Sequence, residues 1–344
     1  MSRWGVVLAG GVGSRFWPLS TPRRPKQLLP LVTDAPLLVD SVRRLEPLVG
    51  RERILIVTNR ALVDPIGELL PEIPRDQVLA EPRSAGTAPA LVWAAREIAV
   101  REGESSTMLS IHADWAIADA NGFRRTLARA ADVAEYRQAL VTVGVVPSRP
   151  DPGFGYIQPG EAANGARRVA RFIEKPDRAR AEHMVSEGYL WNSGIFVWRV
   201  EDFLREVRAH ARELTRGLPA LEQGDVERFF DNVTAISVDH AVLERSSSVF
   251  VLPGEFGWDD VGTWASLHRV RAKDANGNAL AGAVHVVAAQ DNVVHAEGGS
   301  VVLYGVNDLV VVSRPGLTLV TTIDKAADLK TMLDALPATV RDRE

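Results

Sequence analysis

The stretch Gly5-Val6-Val7-Leu8-Ala9-Gly10-Gly11-Val12-Gly13-Ser14-Arg15-Phe16-Trp17-Pro18-Leu19-Ser20 decides the fold of this 344-residue chain. Residues 5–9 are uncharged and mostly apolar, the pattern of a buried strand, and the glycines after them form a loop at its carboxyl end. Glycine there lets backbone N–H groups approach an anion closely, as in many α/β phosphate sites. Two familiar loops are excluded. A dinucleotide fingerprint starting at Gly11 needs glycine where Phe16 stands, and a P-loop needs a Gly-Lys pair that the chain nowhere contains.

Outward from this stretch, residues 36–49 carry apolar side chains at Leu38, Val42, Leu45 and Val49, the spacing of an amphipathic helix. Apolar runs at 54–58, 78–80, 108–111 and 140–146 then alternate with helical patterns over 87–101 and 122–137. This alternation predicts an α/β fold with a Rossmann-like, doubly wound, mostly parallel sheet, which binds ligands at the carboxyl ends of its strands. After Pro147 come Gly/Pro-rich turns, extended segments at 168–173 and 194–198, and helices over 177–187 and 201–216, read as a substrate-covering half of the same domain. From Asn276, β-branched runs at 284–287, 293–295, 301–303, 309–312 and 317–320 predict a small C-terminal all-β, β-helix-like domain closed by a helix over 325–336. The predicted division is therefore 1–275 and 276–344, with no repeat of fixed length to suggest a long solenoid.

Composition narrows the function. With 46% hydrophobic and 24% charged residues the chain fits an ordinary globular protein, and its net charge of −4 argues against a nucleic-acid partner. It has no cysteine, which excludes disulfides, thiolate nucleophiles and cysteine metal sites, and its seven histidines include no H-x-x-x-H pair. No apolar run approaches the ~18–20 residues needed to cross a bilayer and no signal-peptide pattern opens the chain, so a cytoplasmic protein with no membrane partner is expected. Arg3, Arg15, Arg23, Arg24 and Lys26 all precede the first acidic residue, Asp34. This cationic segment points to a small anionic ligand, the alternative being a solvated surface run. Only five of the 40 basic residues are lysine, so the lysines at 26 and 175 stand out as compact point charges of the kind phosphoryl sites use.

Eight blocks in order then show a resemblance: 8–20 (LAGGVGSRFWPLS), 25–30 (PKQLLP), Glu81-Pro82 with 86–90 (GTAPA), 153–157 (GFGYI), 172–176 (FIEKP), 191–196 (WNSGIF), 237–244 (SVDHAVLE) and 257–264 (GWDDVGTW). Over nearly its whole length the chain resembles the sugar-1-phosphate nucleotidyltransferases, and most closely the bacterial mannose-1-phosphate guanylyltransferases. The resemblance implies the nucleotidyltransferase fold and transfer of GMP from GTP to mannose 1-phosphate, giving GDP-mannose and pyrophosphate. Attack on the α-phosphorus is direct and in line, so positioning and charge neutralisation are the catalytic tasks. A transferase for another sugar 1-phosphate or NTP, or a catalytically silent sugar-nucleotide-binding paralogue, are the alternatives; retention of Arg15, Lys26, Asp114, Lys175 and Asp260 argues against the last.

The resemblance also implies residue roles. Gly10, Gly11, Gly13 and Arg15 would hold the triphosphate, with Lys26 on the α-phosphate, while Leu8, Ala9, Gly10, Glu81, Gly86 and Thr87 would border the base. Lys175 would hold the sugar phosphate, with Gly155, Glu174, Asn192 and Asp239 around the sugar. Asp114 and Asp260 would carry Mg²⁺, with Mn²⁺ or Co²⁺ as substitutes. Here Gly86 stands where many relatives have Asn, and the Pro-Ala-Asp-His block of the family reads His112-Ala113-Asp114-Trp115. Structural readings stand beside these: Thr87 as a helix N-cap, His112 as a structural residue rather than a base, Trp191 and Trp258 as packing residues, and Asp260 as the cap of a helix near Thr263. A monofunctional enzyme that forms a homodimer through the exposed edges of its β-rich tail is expected.

Overall fold

The computed structural model describes residues 1–11, 14–163 and 165–341, with no description of the Ser14 side chain. In chain order the strands are β1 (Arg3–Leu8), β2 (Ile54–Asn59), β3 (Val78–Glu81), β4 (Thr107–His112), β5 (Ala116–Ile117), β6 (Leu140–Val145), β7 (Tyr156–Ala163), β8 (Ala166–Ile173), β9 (Leu190–Arg199), β10 (Val249–Gly254), β11 (Trp258–Asp259), β12 (Ala279–Val287), β13 (Val293–Tyr304), β14 (Leu309–Arg314) and β15 (Leu317–Thr322). Contacts divide the chain into two compact units, each made of three segments: residues 1–10, 41–113 and 119–257 form the first, and 11–40, 114–118 and 258–344 the second. The linear reading divides at 275/276 instead. Packing does not follow that cut, because the segments 11–40 and 114–118 group with residues 258–344.

The first unit holds a nine-stranded sheet in the order β3-β2-β1-β4-β9-β6-β10-β8-β7. Strand β1 lies inside the sheet, parallel to β2 and β4, and it is buried from Trp4 onward, as its uninterrupted apolar run requires. The sheet is mixed rather than mostly parallel. Strand β9 runs antiparallel between β4 and β6, and β8 and β7 add antiparallel pairings beyond β10. A strand buried on both faces has the same apolar pattern in either direction, so sequence could not supply this correction. Helix Thr87–Glu102 packs through Ala88, Leu91, Val92, Ala95 and Ile98 into a core that includes Trp4, Leu55, Trp198 and Phe203. The helix expected over 201–216 stops at His210, and the chain resumes helix at Leu218 after Gly217, where an added Cβ would lie 2.7 Å from Val233.

The second unit contains the β11–β5 ladder and a four-stranded sheet, β12-β13-β14-β15. Strands β12, β13 and β14 run parallel to one another, and β15 pairs antiparallel with β14. The separate runs expected at 293–295 and 301–303 belong to one long strand, β13, which pairs with β12 across a register shift. Buried Asn278 and Asn292 tie the turns between strands: Asn292 Nδ2 donates to Asn278 Oδ1 at 2.8 Å and to Val306 O at 3.1 Å. The core of this unit joins Phe16, Trp17, Leu19 and Leu29 to Val261, Trp264, Val293 and Val310. Among the described residues no helix is long and apolar enough to cross a membrane.

Candidate active site

The predicted site residues form clusters within each unit. In the first unit, Leu8 and Ala9 are buried at the end of β1, and the chain direction after them is set by Ala9 N donating to Val57 O at 2.8 Å and Thr58 Oγ1 to Ala9 O at 3.1 Å. Gly10 follows, and an added Cβ there would lie 3.3 Å from Glu81 Oε2 at the end of β3. Leu8, Ala9, Gly10 and Glu81 therefore converge at the carboxyl ends of β1 and β3, the two neighbours of β2, as a doubly wound sheet places a ligand. Glu81 is half-buried with no hydrogen bond or ion pair among the described residues, and burial pushes its carboxyl up to about 7.

Gly86 has φ +83 and its Cβ position lies 2.4 Å from Ile236 O, so only glycine fits the close backbone approach made there. Gly86 itself is the N-cap of the helix. Thr87 instead accepts a hydrogen bond from Val238 N at 2.9 Å, which ties the turn to the segment before Asp239. The N-cap reading of Thr87 is thus replaced by a tertiary contact.

The sugar-side residues also come together in the first unit. Asn192 Nδ2 donates to Asp239 Oδ1 at 2.7 Å, Asn192 N donates to Gly155 O at 2.8 Å, and a Cβ on Gly155 would lie 3.1 Å from Glu174 Oε2. Burial pushes the Asp239 carboxyl above its usual range, against the opposing hydrogen bond from Asn192 and the field of His112. His112 thus faces a carboxylate as a neighbour. Lys175 is exposed, holds Glu174 at 3.0 Å and has φ +39, an uncommon backbone for a non-glycine residue. Trp191 is 1% exposed and packs edge-on against Phe154, and Trp258, 7% exposed, packs against Trp115, so both are packing residues.

In the second unit, the β11–β5 ladder pairs Asp259 with Ala116 and brings Asp114 and Asp260, which flank it, to one end. Lys26 sits between them: its Nζ is 3.0 Å from Asp114 Oδ2 and donates to Asp260 O at 2.9 Å and Val261 O at 3.0 Å. Val261 has φ +47, a strained conformation for a β-branched residue, and is held there by Lys26 on its carbonyl and by Asp259 Oδ1, which accepts its N–H at 3.1 Å. Asp259 is buried and paired with Arg269 through both oxygens, so it supports the turn. The Asp260 carboxylate is half-buried and accepts no hydrogen bond among the described residues. Burial pushes its pKa up, and the nearby Asp259 and Asp114 charges add to this while Lys26 opposes it. Thr263, not Asp260, caps the helix Trp264–Val270, in a reciprocal capping box with Ser266.

Gly11 and Arg15 are exposed, and Arg15 makes no ion pair among the described residues; Val12 and Gly13, the latter a predicted phosphate contact, lie outside them. Buried Gln27, not singled out from sequence, donates to Gly11 O at 2.8 Å and anchors the loop. A buried polar group needs a partner, but Gln27 lies between Lys26 and Leu28, and that setting does not mark it as buried. No cluster of three or more metal-ligating side chains occurs among the described residues. Two oxygen-donor carboxylates, one without a hydrogen-bond donor, nevertheless fit Mg²⁺, which takes one or two carboxylates and completes its shell with phosphate and water.

The nucleotidyl transferase family matches residues 4–277. The alginate biosynthesis protein AlgA of Pseudomonas aeruginosa is 37% identical over 348 residues, covering 97% of this chain and 72% of its own length. The mannose-1-phosphate guanylyltransferase of Escherichia coli K12 is 35% identical over 351 residues, 97% of this chain and 73% of its own. A solved structure from Thermus thermophilus, described as a mannose-1-phosphate geranyltransferase, superposes with a TM-score of 0.88 at 32% identity, covering 97% of this chain and 99% of that one. With the family matched along most of its length and the predicted residues gathered within each unit, the chain belongs to the nucleotidyl transferase family.

Proposed function

We propose that this protein transfers GMP from GTP to mannose 1-phosphate, releasing GDP-mannose and pyrophosphate. The observation that carries the reading is the Lys26–Asp114–Asp260 cluster, three residues from separate motif blocks, in a chain 35% identical to a mannose-1-phosphate guanylyltransferase. A phosphate oxygen of mannose 1-phosphate attacks the α-phosphorus of GTP, the α–β anhydride bond breaks, and pyrophosphate carries away the electron pair. A sugar phosphate near neutral pH is already a nucleophilic anion, so no protein base is required, and His112 keeps its structural role.

Each part of the chain then has a task. Leu8, Ala9, Gly10, Glu81, Gly86 and Thr87 border the purine, and a carboxylate such as Glu81 matches the N1–H and N2–H donors that guanine presents and adenine lacks. Gly11, Gly13 and Arg15 hold the triphosphate. Lys26 supplies charge at the α-phosphate; its three N–H groups are all engaged, so it must exchange one carbonyl for phosphate. Lys175 holds the sugar phosphate, while Gly155, Glu174, Asn192 and Asp239 read hydroxyls, and a substrate lacking one leaves the group that reads it without its partner. Mg²⁺, which Mn²⁺ or Co²⁺ could replace, would be held by Asp114 and Asp260 and would neutralise charge on the reacting phosphates.

Several finer readings belong to the same proposal. The catalytic part is residues 1–275, and the parallel stack of β12, β13 and β14, tied by Asn278 and Asn292, is a short β-helix-like coil within 276–344. Val302, Tyr304 and Val320 are exposed on that sheet, and a homodimer would cover them by pairing two copies there, checked by mass in solution. A cytoplasmic location agrees with GTP as substrate. The deciding assay is pyrophosphate release with a panel of NTPs and sugar 1-phosphates. Preference for GTP with mannose 1-phosphate is expected; preference for another pair, or no release above the sugar-free control, would overturn the assignment.

A further inference from the structure

The segment from Ser14 to Leu31 carries Arg15 and Lys26 yet has little regular structure, only the 3₁₀ turns Ser14–Phe16 and Lys26–Leu28. Some of its carbonyls accept from nearby N–H groups, as Phe16 O does from Leu19 N and Ser20 N, and others must find donors elsewhere. Several find them on side chains that come more than two hundred residues later within the same unit. Trp264 Nε1 donates to Trp17 O at 3.1 Å, Arg314 NH1 to Pro18 O at 2.8 Å, and Arg271 Nε to Leu31 O. Arg24 meets both oxygens of Glu297 at 3.1 and 3.2 Å. Arg15 lies just before the first two of these anchors, and Lys26 lies between the other two.

Arg271 is the least expected of these groups. It is 7% exposed, and its other nitrogens go to Val294 O at 3.3 Å and His295 Nδ1 at 3.0 Å. Among the described residues none of its hydrogen bonds is to a carboxylate, and burial pulls its guanidinium down to about 10. Burying a cation on carbonyls and an imidazole costs desolvation that an apolar residue would avoid. What it gains is geometric: a rigid planar fork that locks one backbone carbonyl of the loop against β13.

We propose that Arg271 and Arg314 are positioning residues for the nucleotide, fixing the loop so that Arg15 and Lys26 meet the triphosphate and making the β-rich C-terminal segment a working part of the GTP site. This rests on the guanylyltransferase reading. Sub-ångström placement of charged groups matters in such a reaction, where misplacement by about 1 Å can cost ~100-fold.

The test compares Arg314→Ala, Arg314→Lys and Arg271→Lys with the unmodified protein. Four readouts are taken: the KM of each substrate, Mg²⁺-free GTP affinity, the melting temperature, and the rate of trypsin cleavage after Arg23 and Lys26. Arg314→Ala should raise the KM for GTP at least about fivefold, leave that for mannose 1-phosphate unchanged and speed cleavage in the loop. Arg314→Lys, which keeps one donor for Pro18 O, should recover most of the loss. Both KM values rising together, or a lower melting temperature with neither KM changed, would assign the contacts to stability alone and overturn the proposal. If Arg314→Ala fails to fold, the same comparison on Arg271→Lys and on Glu297→Gln decides. Should the unmodified protein release no pyrophosphate from GTP and mannose 1-phosphate, the activity reading fails by itself; unchanged GTP affinity in Arg314→Ala would then overturn the positioning role separately.

Discussion

Replacing Asp260 by Asn keeps the side-chain volume and one oxygen while removing a charge. Two unit charges about 4 Å apart at an effective dielectric of about 20 interact by about 4 kcal/mol. Asp260 is only half-buried, so solvent reduces this; taking off about a third leaves ~2.7 kcal/mol, or ~100-fold in rate. Stability should move the other way. Its folded pKa is raised, so its contribution is fully present below the unfolded carboxylate range and is lost as pH rises through the folded value. At neutral pH the charged carboxylate is therefore a cost, increased by Asp114 and Asp259, and Asp260→Asn should melt at the same temperature or higher. The cap of the following helix is untouched, because Thr263 and Ser266 supply it. Steady-state pyrophosphate release across a Mg²⁺ titration, paired with thermal melting, checks both parts. Turnover near that of the unmodified protein at every Mg²⁺ concentration would refute the role given to Asp260, and a lowered melting temperature would refute the electrostatic account.

Lys175→Ala should raise the KM for mannose 1-phosphate tenfold to a hundredfold, about 1.5–3 kcal/mol, and leave that for GTP alone; steady-state kinetics with each substrate varied checks it. Glu81, with its carboxyl near 7, should take up a proton as pH falls below that value, so GTP affinity should weaken toward pH 6 and binding near pH 7 should release a proton. Calorimetry in buffers of differing ionisation enthalpy measures that release, and Glu81→Gln should abolish it. Gly86→Ala places a methyl 2.4 Å from Ile236 O at φ +83 and should destabilise the fold by roughly 1–3 kcal/mol, read as a lower denaturant midpoint.

What the sequence determined by itself was local and chemical. An apolar strand into a glycine loop, a cationic segment before Asp34, two lysines in an arginine-rich chain and eight ordered blocks led to a nucleotide-handling α/β protein and named residues that the fold gathers: Lys26 with Asp114 and Asp260, and Asn192 with Asp239. Strand positions followed because burial writes its period into the chain. The direction of β9 did not, since a strand covered on both faces carries no pattern that distinguishes parallel from antiparallel neighbours. Capping was equally ambiguous: Asp260 and Thr263 both suit a helix start, and only the backbone around Ser266 chose between them. The groups that hold the segment after β1, Gln27, Arg271 and Arg314, were illegible because they reach it through backbone carbonyls. Every residue presents the same carbonyl, so no side-chain pattern records which one is used, and the pairing exists only once distant segments are packed together.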